Sequence, residues 1–272
     1  MPLITDSDMT ALLTDATADD LGILADYITD KGEGRISLSS EVCKTLHQAR
    51  TSGKFSPVAR AYIAEELQRF GGNSVMNLFR GGAGVPYREV VCDVASHLKV
   101  EYQKGDDCGR IETAILTKLL VQSMDKMSAQ QREEIMATFG QSSAAAKGAI
   151  DLAALTAAIL ASNLLSYRLT AMVADASVKA LLGRGLVASA TSRSVGALLG
   201  PIGWAITAIW TVYDLASPAY RVTVPCVIQL AYMRSKQLVA ESMCSRCNAA
   251  LDAGAKFCSQ CGQTVAATKL IH

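Results

Sequence analysis

Through most of the first 140 positions apolar residues recur at three- and four-residue spacing, which predicts a series of short amphipathic helices. Thr17, with Asp20 three residues on, supplies a cap and an acid for the first turn ahead of Leu21, Ile23, Leu24 and Ile28. Ser56-Pro57 sets a cap before a proline at the first helical position, and Gly71-Gly72 stops the helix that follows. A further helix is expected through NSVMNLF up to Gly81-Gly82. REVVCDVASHLKV and GRIETAILTKLLVQSM carry the same spacing. Ser128 with Gln131 forms a capping-box pattern before REEIMATF, closed by Gly140. VTVPCVIQL is the one β-branched run. Its Pro225 argues against a central strand and leaves a Pro-interrupted helix or an extended lead-in. The expected class is mainly α.

The charge pattern divides the chain. Residues 1–147 carry 36 Asp, Glu, Lys and Arg, whereas 148–217 carry only Asp151, Arg168, Asp175, Lys179, Arg184, Arg193 and Asp214. We therefore expect a charged helical domain over 1–140, an apolar helical region over 141–240, and a small C-terminal unit over 241–272. Within the apolar region, Leu152–Tyr167 is uncharged for 16 residues and Ser194–Tyr213 for 20. The second run has the length of a bilayer span, roughly 20 residues. It holds both Trp204 and Trp210, and Gly196 and Gly200 stand four apart as in close-packed helix pairs. Against a span, Pro201 would kink the helix and Trp204 sits near its middle, away from an interface belt. Three placements stay open for 149–216: a buried core, a membrane hairpin with arms 149–182 and 185–216 turning at Gly183-Arg184-Gly185, or an oligomer interface.

Composition narrows the function classes. Of 272 residues, 50% are hydrophobic and 6% aromatic, which excludes intrinsic disorder. The 26 Lys and Arg against 25 Asp and Glu leave +1 overall, which argues against a charge-driven nucleic-acid binder. In 218–272 six basic residues face two acidic ones, a modest excess. The N-terminal MPLITDSDMTALL has neither a basic lead nor an apolar stretch of signal-peptide length, so a reducing, cytoplasmic setting is expected, with membrane association through 149–216 as the alternative.

The strongest chemical signal is Cys244-Ser-Arg-Cys247, ten residues, then Cys258-Ser-Gln-Cys261-Gly262. Two CxxC pairs give four thiolates, the ligand set that tetrahedral Zn2+ favours, and four Cys leave no open position for catalysis. Asn248 and Gly262 after each pair tolerate the positive φ of a tight turn, and Asp252-Ala-Gly254 can reverse the chain between them. Iron of the rubredoxin type shares this ligand set. Two disulfides are disfavoured by the expected compartment, and thioredoxin-like chemistry would need a strand before Cys244. The segment CSRCNAALDAGAKFCSQCG resembles the short bacterial zinc-ribbon domains, which implies a structural metal and a binding module.

No catalytic set emerges. The histidines are His47, His97 and His272. His97 follows Asp93 by four residues, a spacing that usually marks a helix-surface pair. Cys92 falls on another face, and Glu65-Glu66 reads as a solvated stripe. The glycines at 71–72 and 81–84 lack the Lys-Ser/Thr of a phosphate loop and mark turns.

DSDMTALL, EELQRFGGNSVMNLFRGGAGVPYREVVCDVASHLKV, GPIGWAIT and AYRVTVPCVIQLAYMR, spread over residues 6–234, resemble the YaaW family of uncharacterised bacterial proteins. That group is related in classification to the ubiquinol–cytochrome c chaperone domain. The resemblance implies a helical N-terminal body and a small-residue-rich C-terminal half, and it brings no active site. The ribbon at 244–265 departs from shorter members and implies an added recognition module. The expectation is a non-enzymatic, chaperone-like binding protein with a structural zinc ribbon and a protein partner. A membrane-inserting or pore-forming-like protein acting through 149–216 is the alternative.

Overall fold

Most helices start where a side chain accepts a backbone N–H that the first turn leaves over. In a computed structural model, residues 6–34, 38–71, 84–125, 127–139, 152–183, 203, 219–244, 246–247, 249, 251 and 255–265 are described. They form α1 (Ser7–Thr14), α2 (Ala18–Thr29), α3 (Ser40–Ser52), α4 (Pro57–Gly71), α5 (Tyr87–His97), α6 (Cys108–Met124), α7 (Ala129–Thr138), α8 (Leu152–Leu160), α9 (Asn163–Leu182) and α10 (Tyr220–Glu241). Among the described residues there is no strand; Phe257 and Thr264 form an isolated antiparallel bridge, and Met243 also sits in a bridge.

The mainly helical class holds, and so do the starts. Thr17 Oγ1 accepts from Asp20 N at 3.3 Å, Ser56 Oγ from Ala59 N at 3.2 Å, and Ser128 with Gln131 closes a full capping box. Asp6, Ser39, Asp107 and Ser162 cap α1, α3, α6 and α9 in the same way. Helix α3 carried this signal too, with Ser39 at its start and Gly53 at φ +65° ending it. Ser128→Ala is expected to lower stability by ~1 kcal/mol in urea titration, the usual loss for an N-cap hydroxyl. The NSVMNLF helix and Gly140 lie outside the described residues.

Helix α10 forms the axis. Every residue from Val222 to Met233 is buried, and the helix packs on α1, α2, α4, α5, α6 and α9. VTVPCVIQL is thus helical. Pro225 stands near the start, where the one N–H it lacks would have reached the carbonyl of Arg221. Buried apolar residues from Met9 to Met233 form a single cluster, so the charged N-terminal helices and the apolar region share one core.

The apolar region is broken at its first arm. Ser162 accepts from Leu165 N at 3.4 Å and restarts the helix, so α8 and α9 meet at 115° and 149–182 is not one continuous rod. All residues from Leu169 to Val178 of α9 are buried, largely against α10. Helix α8 buries Leu155 and Ile159, one turn apart, and exposes alanines. No single described helix is long and apolar enough to cross a membrane. The second arm, 185–216, with Trp204 and Trp210, lies outside the described residues apart from Gly203, where a Cβ would meet the Ala176 carbonyl at 3.7 Å.

Two ionic clusters fasten α10 to the N-terminal helices. Arg234 donates to both Asp8 oxygens at 2.6 and 2.8 Å and to Glu112 at 2.9 and 3.2 Å. The Tyr87 hydroxyl donates to Glu112 at 2.7 Å, and the Tyr87 backbone N–H to Asp6 at 2.7 Å. A turn away, Lys236 Nζ and Gln229 Nε2 donate to the buried Asp20 at 2.9 and 3.3 Å.

Candidate metal centre

Helix α10 runs straight into the cysteine-rich tail. Its C-cap, Ser242, offers a carbonyl to Leu251 N at 2.9 Å, and Cys244 N donates to Ala249 O at 2.8 Å. Fourteen positions on, the same two bonds recur: Val265 N to Lys256 O at 2.9 Å and Cys258 N to Gln263 O at 2.8 Å. SMCSRCNAAL and KFCSQCGQTV are therefore two copies of one knuckle. That repeat was present in the sequence but is visible only when the strings are aligned at this offset. Gly262 takes φ +70°, the left-handed conformation its place after Cys261 requires.

The four sulfurs of Cys244, Cys247, Cys258 and Cys261 all lie within 4.8 Å of one another. Across the knuckles, Cys244 Sγ is 3.6 Å from Cys261 Sγ, and Cys247 Sγ is 3.6 Å from Cys258 Sγ. A tetrahedral ion with metal–sulfur bonds of about 2.3 Å would set its sulfurs roughly 3.8 Å apart, so the cage is already close to the right size. The Arg246 backbone N–H points at Cys244 Sγ at 3.4 Å. Cys244 and Cys258 are buried, Cys261 half-buried and Cys247 exposed.

The electrostatics fit a cation. Backbone N–H groups of Cys247 and Arg246 draw the Cys244 thiol down to about 6. The Ala249 N–H favours the Cys247 thiolate, but Cys261 and then Cys258 and Cys244 crowd it and push it up to about 12. Thiol groups this close resist ionising together unless a cation lies among them. These four residues could hold a metal ion.

The remaining candidates among the described residues lie outside this cage. The His97 ring stacks on Tyr220 at 3.6 Å and 14°, and burial pushes its pKa down. Asp93 is pushed up by burial and by Glu89. His47 packs its ring against Gly32, where a Cβ would come within 2.4 Å of Nδ1. His272 lies outside the described residues. Glu65-Glu66 is not a uniformly solvated stripe: Glu66 is 3% exposed, its pKa raised by burial, and Arg69 reaches it at 2.9 Å. Helix α4 packs on α3, α5 and α10, so the face carrying Ile63, Glu66, Leu67 and Phe70 turns inward. The Arg234 and Asp20 clusters leave no pattern in the sequence, because no spacing rule links residues as far apart as the 226 positions from Asp8 to Arg234.

Fold and site together define a helical protein with a C-terminal zinc-ribbon module. A family model described as a zinc-ribbon domain matches residues 243–265. The chain belongs to the UPF0174 family. The UPF0174 protein YaaW of Escherichia coli is 30% identical over 236 residues, covering 85% of this chain and 94% of that protein. A UPF0174 protein of Helicobacter pylori is 40% identical over 181 residues, 64% of this chain and 70% of its own length. Another from that species is 40% identical over 182 residues, 64% of this chain and 87% of its own length. No solved structure matches the chain.

Proposed function

We propose that this is a non-enzymatic, chaperone-like binding protein whose ribbon holds one structural Zn2+ and meets a protein partner. The observation that carries this reading is the closed cage of Cys244, Cys247, Cys258 and Cys261, with sulfurs within 4.8 Å and no position left for a substrate. Four sulfur donors suit zinc over the harder divalent ions, and a working site of this kind belongs in a reducing, cytoplasmic setting. Phe257, 62% exposed between the exposed Lys256 and the buried Cys258, supports the contact role. An aromatic presented on a metal-braced turn is the kind of anchor that protein interfaces favour. The non-enzymatic part of this reading draws on the buried ionisable groups described around α10, which are engaged with one another in packing the bundle.

Elemental analysis of protein prepared without added metal tests the site. Zinc at about one per chain is expected for a tetrathiolate site, with no iron colour. Stripping the ion with a strong chelator should open 242–265 to trypsin at Arg246 and Lys256 while leaving the helical signal intact. Absence of metal, or a ribbon as protease-resistant after stripping as before, would end the zinc reading. For the binding role, the protein should slow aggregation of a thermally unfolding client, and Phe257→Ser should weaken that effect several-fold. Equal protection by both, or none by either, would count against it.

A second reading, membrane insertion through 149–216, draws on α8 and α9, which together have the length and composition of a bent span. It requires α9 to give up the burial of Leu169–Val178 and the Tyr27–Ser177 hydrogen bond of 3.2 Å. Dye release from liposomes with anionic lipid tests it. Release would favour insertion, and inert liposomes would leave the binding role alone.

A further inference from the structure

We infer that the ribbon is a peroxide-responsive modification site, with Cys247 the attacking thiolate and Cys258 the resolving one. The inference rests on the zinc reading above and adds a reaction to it. The four sulfurs are not equally placed. Cys244 and Cys258 are 2% and 3% exposed, Cys261 is half-buried, and Cys247 stands open to solvent beside the exposed Arg246. Among four sulfurs serving one ion, access decides which is oxidised first. Cys247 is the most exposed sulfur of the cage and therefore the first within reach of a small oxidant.

The second step is set by geometry. Cys258 Sγ sits 3.6 Å from Cys247 Sγ, on the opposite knuckle. The Cys247 thiolate attacks hydrogen peroxide: an S–O bond forms, the O–O bond breaks and hydroxide leaves. The Cys258 thiolate then attacks the Cys247 sulfenic sulfur, forming the S–S bond and expelling a second hydroxide. Two thiolates are oxidised by two electrons in all, and one peroxide is reduced to two hydroxides. The bond crosses the knuckles and takes two of the four ligands from the ion, so the ribbon lets its metal go. Because metal binding supplies most of the folding energy of such a small unit, oxidation would also dismantle the surface carrying Phe257. Thiol reductants reverse the disulfide and allow reloading.

The experiment uses the full chain with its zinc measured first. Hydrogen peroxide is added while released zinc is followed with a chromogenic chelator, and tryptic peptides are mapped under non-reducing conditions. Trypsin separates Cys247 from Cys258 by cutting after Arg246 and Lys256, so the cross-link joins two peptides. The expected result is zinc release in step with a Cys247–Cys258 disulfide, reversed by dithiothreitol. Cys247→His preserves a Cys3His ligand set and removes the exposed thiol, and it should release zinc several-fold more slowly. A first disulfide within a knuckle, oxidation led by a buried cysteine, or zinc retained under peroxide would overturn the inference while leaving the zinc reading intact. Should Cys247→His fail to hold zinc, the peptide map of the native chain decides alone. A chain with no zinc at the outset would instead defeat the zinc reading itself.

Discussion

Arg234→Met is expected to destabilise the helical body by about 3–5 kcal/mol, the usual loss when one partner of a buried ionic cluster is removed. The guanidinium is mostly buried and spans two helices, taking Asp8 of α1 in a two-point grip and Glu112 of α6 at 2.9 Å. Glu112 is 1% exposed, and burial already raises its pKa against the pull of Arg234. Methionine fills most of the volume and leaves that carboxylate with only the Tyr87 hydroxyl, at 2.7 Å.

The pH dependence follows from this. A carboxyl whose folded pKa lies above its unfolded one binds more protons when folded, so stability falls as pH rises from the unfolded toward the folded value. Removing Arg234 takes away the pull that opposes burial, which raises the Glu112 pKa further and widens that window. The variant should therefore recover stability on acidification from neutral pH, more than the native protein does, as read by urea titration at a series of pH values. Adding Glu112→Gln to Arg234→Met should restore part of the loss at neutral pH, because the charge left unpaired is gone. An Arg234→Met protein within ~0.5 kcal/mol of the native one, the range of ordinary surface substitutions, would show that the cluster does not fasten α10.

The second large effect falls at the other end of α10. Cys258→Ser is expected to abolish metal retention and unfold the ribbon, since structural zinc contributes roughly 10–16 kcal/mol of apparent binding energy in comparable small units. Cys258 is 3% exposed, and its N–H and carbonyl also hold the second knuckle through Gln263 and Gly262. The loss should stay local. No described ribbon residue belongs to the apolar cluster that runs from Met9 to Met233. Elemental analysis should find the metal gone, limited trypsin digestion should cut at Lys256, and the thermal transition followed by helical circular dichroism should hardly move. Retention of the ion by Cys258→Ser would contradict the four-sulfur cage. Collapse of the helical transition along with it would contradict the separation of ribbon and bundle.

What could be read from the sequence was what depends on neighbours. Caps at Thr17, Ser56 and Ser128 act within three residues, and each CxxC shapes its own turn, so both appeared as plain patterns. Pro225 was ambiguous for the same reason: near a helix start it costs one hydrogen bond, and only knowing where α10 begins shows which case applies. The uncharged run Leu152–Tyr167 concealed the break at Ser162, because hydropathy is blind to a cap that restarts a helix at 115°. Glu66 looked solvated because carboxylates are usually exposed, whereas packing of α4 on five helices turned it inward beside Arg69. The grip of Arg234 on Asp8 and Glu112 joins positions 226 and 122 residues apart and leaves no local trace. The burial of Leu169–Val178 likewise depends on α10 arriving later in the chain to cover it.

X-ray absorption at the zinc edge on the purified protein probes the closed tetrathiolate proposed at the end of α10. A single shell of four sulfurs at about 2.3 Å is expected, with no oxygen or nitrogen ligand. A shell of fewer sulfurs completed by oxygen or nitrogen, or a site filled by iron in place of zinc, would contradict it.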